Sequence, residues 1–207
     1  MKAFIWDLDG TLINSYDVIV ESLHTSLKKL NINLTKKYIN QKIIETSVSK
    51  FLLDLENELG MSLDFVRKDY LIIEEGILDK IKLMPNAKEI LEYINLNGGI
   101  NLIFTHRGDS LYTILKNNDI LKYFYDIANP YMGLKRKPSG DGIKYLINKH
   151  KLDINDCYYI GDRILDMKSS KDANVKGILY IPRSSLTKSD GSEYLIINDL
   201  LELKELI

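Results

Sequence analysis

A chain of 207 residues, 45% hydrophobic and 28% charged, has the make-up of an ordinary globular protein with one large domain, or one domain with a smaller one attached. A formal net charge of −1 sets up no basic field, so neither nucleic acid nor an anionic membrane is expected as a partner. The single cysteine, Cys157, rules out an internal disulfide, and one cysteine with three histidines does not make a structural zinc site.

The first apolar run, Ala3-Phe4-Ile5-Trp6, is too short for a secretory signal, and no run approaches the roughly 18 apolar residues of a membrane span. The expected location is the cytoplasm. That same run leads straight into Asp7-Leu8-Asp9-Gly10-Thr11. A short continuous apolar stretch ending in charge predicts a strand buried on both faces of a parallel sheet. Residues i and i+2 of a strand share a face, so Asp7 and Asp9 are expected side by side where the strand stops, and Gly10 lets the chain turn.

From 14 to 82 the period is helical. Ile19, Leu23, Leu27 and Leu30 form one stripe, with Asn14 or Ser15 placed to cap it. Ile39 and Ile43 begin a second helix. Phe51, Leu55 and Leu59 mark a third, closed by Gly60, and Val66, Tyr70, Ile73 and Ile77 mark a fourth. This block predicts a small helical bundle with its own core and no strand. Pro85 then opens a helix with Ala87, Ile90, Leu91 and Ile94 on one face, ended by Gly98-Gly99. Further strands are predicted at 100–104, 125–128, 157–160 and 177–181, with helices at 110–117, 140–150 and 167–173 between them. Residues 184–193 read as a surface loop, 194–197 as a short edge strand and 200–206 as a last helix. Alternating strands and helices imply an α/β fold, a doubly wound parallel sheet built from residues 1–13 and 83–207. The helical block at 14–82 is read as an insertion.

Ligands of open parallel sheets bind outside the carboxyl ends of the strands. Those ends carry Asp7 and Asp9, then Thr105, and finally Asp162 with Asp166 four residues on; the loop before the helix at 140 adds Lys137. The chemistry served by carboxylates, a hydroxyl and an ammonium at one edge is phosphoryl transfer with a hard cation. Mg2+ takes oxygen ligands, for which Asp7 and Asp162 offer carboxylates and Asp9 its carbonyl. Asp7 is then a candidate nucleophile and Asp9 a candidate acid and base. Thr105 can hydrogen-bond the phosphoryl oxygens and Lys137 can neutralise charge in the transition state.

Asp7-Leu8-Asp9-Gly10-Thr11, Thr105, Lys137-Pro138 and Gly161-Asp162 with Asp166 resemble, in order and setting, the four motifs of the haloacid dehalogenase superfamily, and most of all its phosphoglycolate phosphatase-like branch. The resemblance covers the whole chain, because the block at 14–82 is similar to the small helical cap inserted after the first motif. It implies a Rossmann-like core and a Mg2+-dependent phosphatase acting on a small phosphorylated metabolite through an aspartyl-phosphate. Asp7, Asp9 and Lys137 would be catalytic. Gly10, Thr105, His106 and Lys137 would contact the phosphate, Asp7, Asp9 and Asp162 would hold the metal, and Asp166 would stand behind them, placed to pair with Lys137. His106 occupies a position where relatives commonly have Asn. Ser47, Ser49 and Lys50 in the cap, with Arg107, are candidates for substrate specificity, although Arg107 and Arg163 by themselves read as loop surface. Thr11 and the acid at position 9 favour a phosphatase. A sugar-phosphate mutase and, from another class, a non-enzymatic phospho-acceptor switch are the rivals. The expected assembly is a monomer or weak homodimer.

Overall fold

The computed structural model describes residues 1–182 and 185–207. In chain order the elements are β1 (Ala3–Trp6), β2 (Ile13–Asn14), α1 (Tyr16–Lys29), α2 (Lys36–Glu45), α3 (Val48–Leu59), α4 (Asp64–Glu75) and β3 (Lys82–Leu83). They continue with α5 (Ala87–Leu96), β4 (Ile100–Phe104), α6 (Ser110–Asn117), β5 (Phe124–Ala128), α7 (Asp141–His150), β6 (Cys157–Gly161), α8 (Ile164–Asp172), β7 (Lys176–Tyr180) and β8 (Leu195–Ile197). Two compact units result, Met1–Asn14 with Lys82–Ile207, and Ser15–Ile81.

In the first unit, six strands lie in the order β5-β4-β1-β6-β7-β8, and every adjacent pair is parallel. This is the doubly wound α/β sheet that the alternation of strands and helices predicts. β1 lies between β4 and β6, and all four of its residues are buried. Its two faces do different work. Ala3 and Ile5 join Leu102, Phe104, Ile143, Leu146 and Tyr159 in one core. On the opposite side, Phe4 stacks on Tyr158 with ring centroids 5.3 Å apart. There Trp6 donates from Nε1 to Asn101 Oδ1 (2.9 Å), and Asn101 donates in turn to the Leu91 carbonyl (2.9 Å), tying β1 and β4 to α5. A buried amide is tolerated in β4 because its donors and acceptor are matched.

The second unit has its own apolar core, formed by Ile19, Leu23, Leu27, Ile39, Ile43, Phe51, Leu55 and Val66, the stripes read from the sequence. Ser15 is the residue before α1, and Gly60 closes α3 in the left-handed region at φ 64°. Ile77 falls beyond the end of α4.

Several details differ from the sequence reading. A two-residue antiparallel ladder pairs Ile13 with Leu83 and Asn14 with Lys82, too short to leave a period in the sequence. Residues 200–206 form a 3-10 helix rather than an α-helix, capped by Asp199. Ser184, at the start of the predicted surface loop, lies outside the described residues. Among the described residues, no helix is long and apolar enough to cross a membrane.

Candidate active site

β1 ends at Trp6, and one more sheet bond, from the Asp7 N–H to the Ile160 carbonyl (2.8 Å), carries the next residue to the strand's edge. The chain then curls. The N–H groups of Leu12 and Ile13 both donate to the Leu8 carbonyl (3.0 and 3.1 Å). Gly10 sits at φ 86°, a conformation that disfavours side chains, and donates to the Ile13 carbonyl (2.8 Å). Because of this curl the two acids do not share surroundings as strict strand alternation predicts. Asp7 turns to Lys137, and Asp9 turns to Arg107.

Lys137 Nζ is completely buried and bonds both the Asp7 Oδ1 and Asp166 Oδ1 carboxylate oxygens, the latter at 2.8 Å. The Phe104 and Tyr159 rings lie 5.2 and 5.4 Å from the ammonium. Asp166 is fully engaged. Its Oδ1 also accepts from the Tyr159 hydroxyl (3.1 Å) and its Oδ2 from the Arg163 N–H (3.2 Å), which caps the start of α8. Gly161 makes room for this: a Cβ there would fall 2.3 Å from the Asp166 Cβ. Asp7 has fewer donors. Its Oδ2 is buried without a hydrogen-bond partner among the described residues.

Two acids and one ammonium share this pocket, and the charge settles on the acid with more donors. Burial works against Asp166 as an anion, but Lys137 and then Arg163 outweigh it and hold its carboxyl below the ordinary value. Burial pushes the Asp7 carboxyl up to about 6 despite Lys137, and the nearby Asp166 adds to the rise. For Lys137, burial favours the neutral amine, but Asp166 and Asp7 overcome it and raise the ammonium above its usual range. Burial and the same two acids keep the Tyr159 hydroxyl protonated, well above its ordinary value, so that it remains a donor.

One oxygen each from Asp7, Asp162 and Asp166 lie within 4.8 Å of one another, all on buried residues. With Asp166 engaged and Asp7 Oδ2 orphaned, the arrangement fits a hard cation held by Asp7 and Asp162. Thr11 Oγ1 donates to Asp162 Oδ1 (3.4 Å). The Asp9 carboxylate stands outside this cluster, which leaves only its carbonyl for the cation.

Thr105 is buried at the end of β4, extended by its N–H to the Ala128 carbonyl (3.1 Å), and its Oγ1 accepts from the Arg107 N–H (3.0 Å). A hydroxyl that accepts there still has its proton to donate. His106 Nε2 accepts the Lys137 backbone N–H (2.8 Å), so this ring nitrogen carries no proton and anchors the lysine loop. Burial, followed by Lys137, Arg136 and Arg163, pulls the His106 imidazole down to about 2.

An unfolded histidine takes up a proton near pH 6.5, and this folded one does not, so the histidine's contribution to stability is full above 6.5 and declines as the pH falls towards 2. Over pH 6.5 to 5 the parent chain is expected to lose about 1.5 kcal/mol more than a His106→Asn variant, whose amide can accept the same N–H. Urea unfolding at the two pH values measures this, and parallel losses in both proteins would remove His106 as the cause.

Arg107 corrects the reading of it as loop surface. Its side chain is 5% exposed and grips Asp9 through Nε (2.9 and 3.1 Å) and Nη2 (2.6 Å). Ser47, Ser49 and Lys50 belong to the helical unit. Ser47 caps α3 by accepting the Lys50 N–H (3.1 Å), Lys50 pairs with Asp54 on the surface (2.6 Å), and Ser49 is exposed. Sequence reasoning missed Tyr159, whose alternating place in a buried strand marks only a core aromatic.

A family model described as haloacid dehalogenase-like hydrolase matches residues 4–180. The fold superposes on a hydrolase from Pseudomonas syringae with a TM-score of 0.80 and 26% identity, over 99% of this chain and 97% of that one. A pyrophosphatase PpaX from Oceanobacillus iheyensis is 23% identical over 98% of this chain and 96% of its own. A phosphoglycolate phosphatase from Vibrio parahaemolyticus is 22% identical over 100% of this chain and 96% of its own.

Proposed function

Because the chain belongs to the haloacid dehalogenase-like hydrolase family, we propose that it is a Mg2+-dependent phosphatase of small phosphorylated metabolites, working through an aspartyl-phosphate on Asp7. The observation that carries this reading is the Asp7 carboxylate itself. It is buried at the end of β1, steadied at one oxygen by Lys137 and orphaned at the other, beside Asp162. Mg2+ would be held by Asp7, Asp162 and the Asp9 carbonyl, where it offsets the repulsion between carboxylates and phosphoryl oxygens.

In the first step an Asp7 oxygen attacks phosphorus, the bond to the leaving oxygen breaks, and that oxygen takes a proton from Asp9. In the second, water attacks the aspartyl-phosphate and gives a proton to Asp9. The bond to Asp7 breaks, inorganic phosphate leaves, and both acids return to their starting states. Lys137 stays charged throughout between Asp7 and Asp166, against the negative charge that builds on the phosphoryl group. Thr105 and the Gly10 backbone are placed to contact the phosphoryl oxygens. His106 serves by holding the Lys137 backbone. The helical unit Ser15–Ile81 is read as the family's cap.

A pyrophosphatase and a phosphoglycolate phosphatase among the relatives leave the choice of substrate open, so the test is a panel of phosphate esters together with pyrophosphate and phosphoglycolate. With Mg2+ present, inorganic phosphate is expected from at least one of them. EDTA should stop its release and added Mg2+ restore it. Return of the phosphoryl group to another carbon of a sugar would favour a mutase, and a lasting phospho-aspartate without turnover would favour a switch.

A further inference from the structure

Arg107 has no part in the steps above, yet it is among the most enclosed cations of the α/β unit. Besides its fork on Asp9, its Nη1 donates to Ser110 Oγ (2.9 Å), and its backbone N–H is fixed on Thr105 Oγ1. It is therefore anchored from α6 and from the end of β4, while its partner Asp9 keeps a side chain 21% exposed. A buried guanidinium needs an anion against it, because the uncompensated charge is the costly state. While Asp9 serves as that anion, its oxygens are committed to the fork and not to a leaving oxygen. Asp9 can turn to the leaving oxygen, and carry a proton there, only when another anion replaces it.

We infer that Arg107 is the specificity-determining residue of this site: it receives a second anionic group borne by the leaving part of the substrate, and in doing so releases Asp9 to the leaving oxygen. The inference rests on the phosphatase reading and adds a substrate class to it, phosphorylated molecules whose leaving group is itself a carboxylate or a phosphate. The exchange balances charge: one anion arrives on the guanidinium as one carboxylate departs, and no covalent bond changes. A substrate with a neutral leaving group brings no replacement, so Asp9 stays parked. The same pairing keeps the acid in reserve when only water or a simple ester is present.

The test compares kcat/KM for pyrophosphate, phosphoglycolate and ethyl phosphate in the parent chain, Arg107→Ala and Arg107→Lys, all with Mg2+. The parent is expected to prefer the better of the two charged-leaving-group substrates over ethyl phosphate by at least about 100-fold. Arg107→Ala should erase most of that preference, chiefly by raising KM for the charged substrate. Arg107→Lys keeps a cation but loses the fork, and should recover part of it. Circular dichroism melts identify a variant that has not folded, in which case the other carries the test. A preference that survives in the folded variants, or equal losses on charged and neutral leaving groups, overturns the inference. No phosphate from any of the three substrates in the parent chain defeats the phosphatase reading, and this inference with it.

Discussion

Asp7→Asn is expected to abolish phosphate release, by about 10^4-fold or more, while leaving the fold intact. The amide keeps the shape of the carboxylate and removes its nucleophilic oxygen. The same substitution has a stability signature that an inert surface acid would lack. Burial raises the Asp7 carboxyl to about 6, above its unfolded value near 3.8. A raised acid favours its protonated form in the fold, so its contribution to stability is present below 3.8 and is lost as pH rises through 6. The asparagine has no such loss, and Lys137 retains Asp166 as its counter-charge. Thermal melts without metal are therefore expected to show the variant no less stable than the parent at pH 7.5, with the parent losing ground across pH 4 to 6. Measurable turnover by a pure, folded variant would exclude Asp7 as the nucleophile.

Lys137→Met should be more damaging, because it strikes both the chemistry and the fold. Methionine fills similar space against Phe104 and Tyr159 but leaves Asp7 and Asp166 facing each other without a cation. Breaking a buried ion pair from one side costs about 3–5 kcal/mol. For a chain of this size that lowers the melting temperature by roughly 10 °C. Adding Asp166→Asn removes the stranded charge, so the double variant should regain part of the stability in urea unfolding and none of the phosphate release. That dissociation separates the two roles of the lysine. If Lys137→Met proved as stable as the parent, the ammonium would not be what allows two acids to be buried together.

How far the sequence could be read depended on whether a residue's surroundings lie close in the chain. Asp7 and Asp162 were legible because each follows a run of buried strand residues, and a buried run that stops at an acid marks a strand end at the ligand edge of a parallel sheet. The stripes of the helical unit were legible because a helix brings its own neighbours together every three or four residues. Arg107 was not. It stands in a polar stretch of loop composition, and what buries it is a carboxylate 98 positions earlier. Tyr159 escaped for the opposite reason: its strand context explains it fully as a core residue, and nothing local shows that its hydroxyl reaches Asp166. Asp166 itself could be read two ways, as a helix-start acid or as a partner of Lys137. The structure gives both, one to each of its oxygens.

The small ladder between β2 and β3 bears on the history of such a chain. It pairs Asn14 with Lys82, so the segment between them leaves and re-enters at one spot, its ends held side by side by the unit that also contains Asp7, Asp9, Thr105, Lys137 and Asp162. Once the ends of a loop are joined, doubling its length adds only about 0.6 kcal/mol of closure entropy. The doorway therefore tolerates guests of very different size. A lineage could enlarge, shrink or exchange what lies between residues 14 and 82 without moving a reactive atom, and selection on substrate choice and selection on chemistry could then act on separate stretches of one gene.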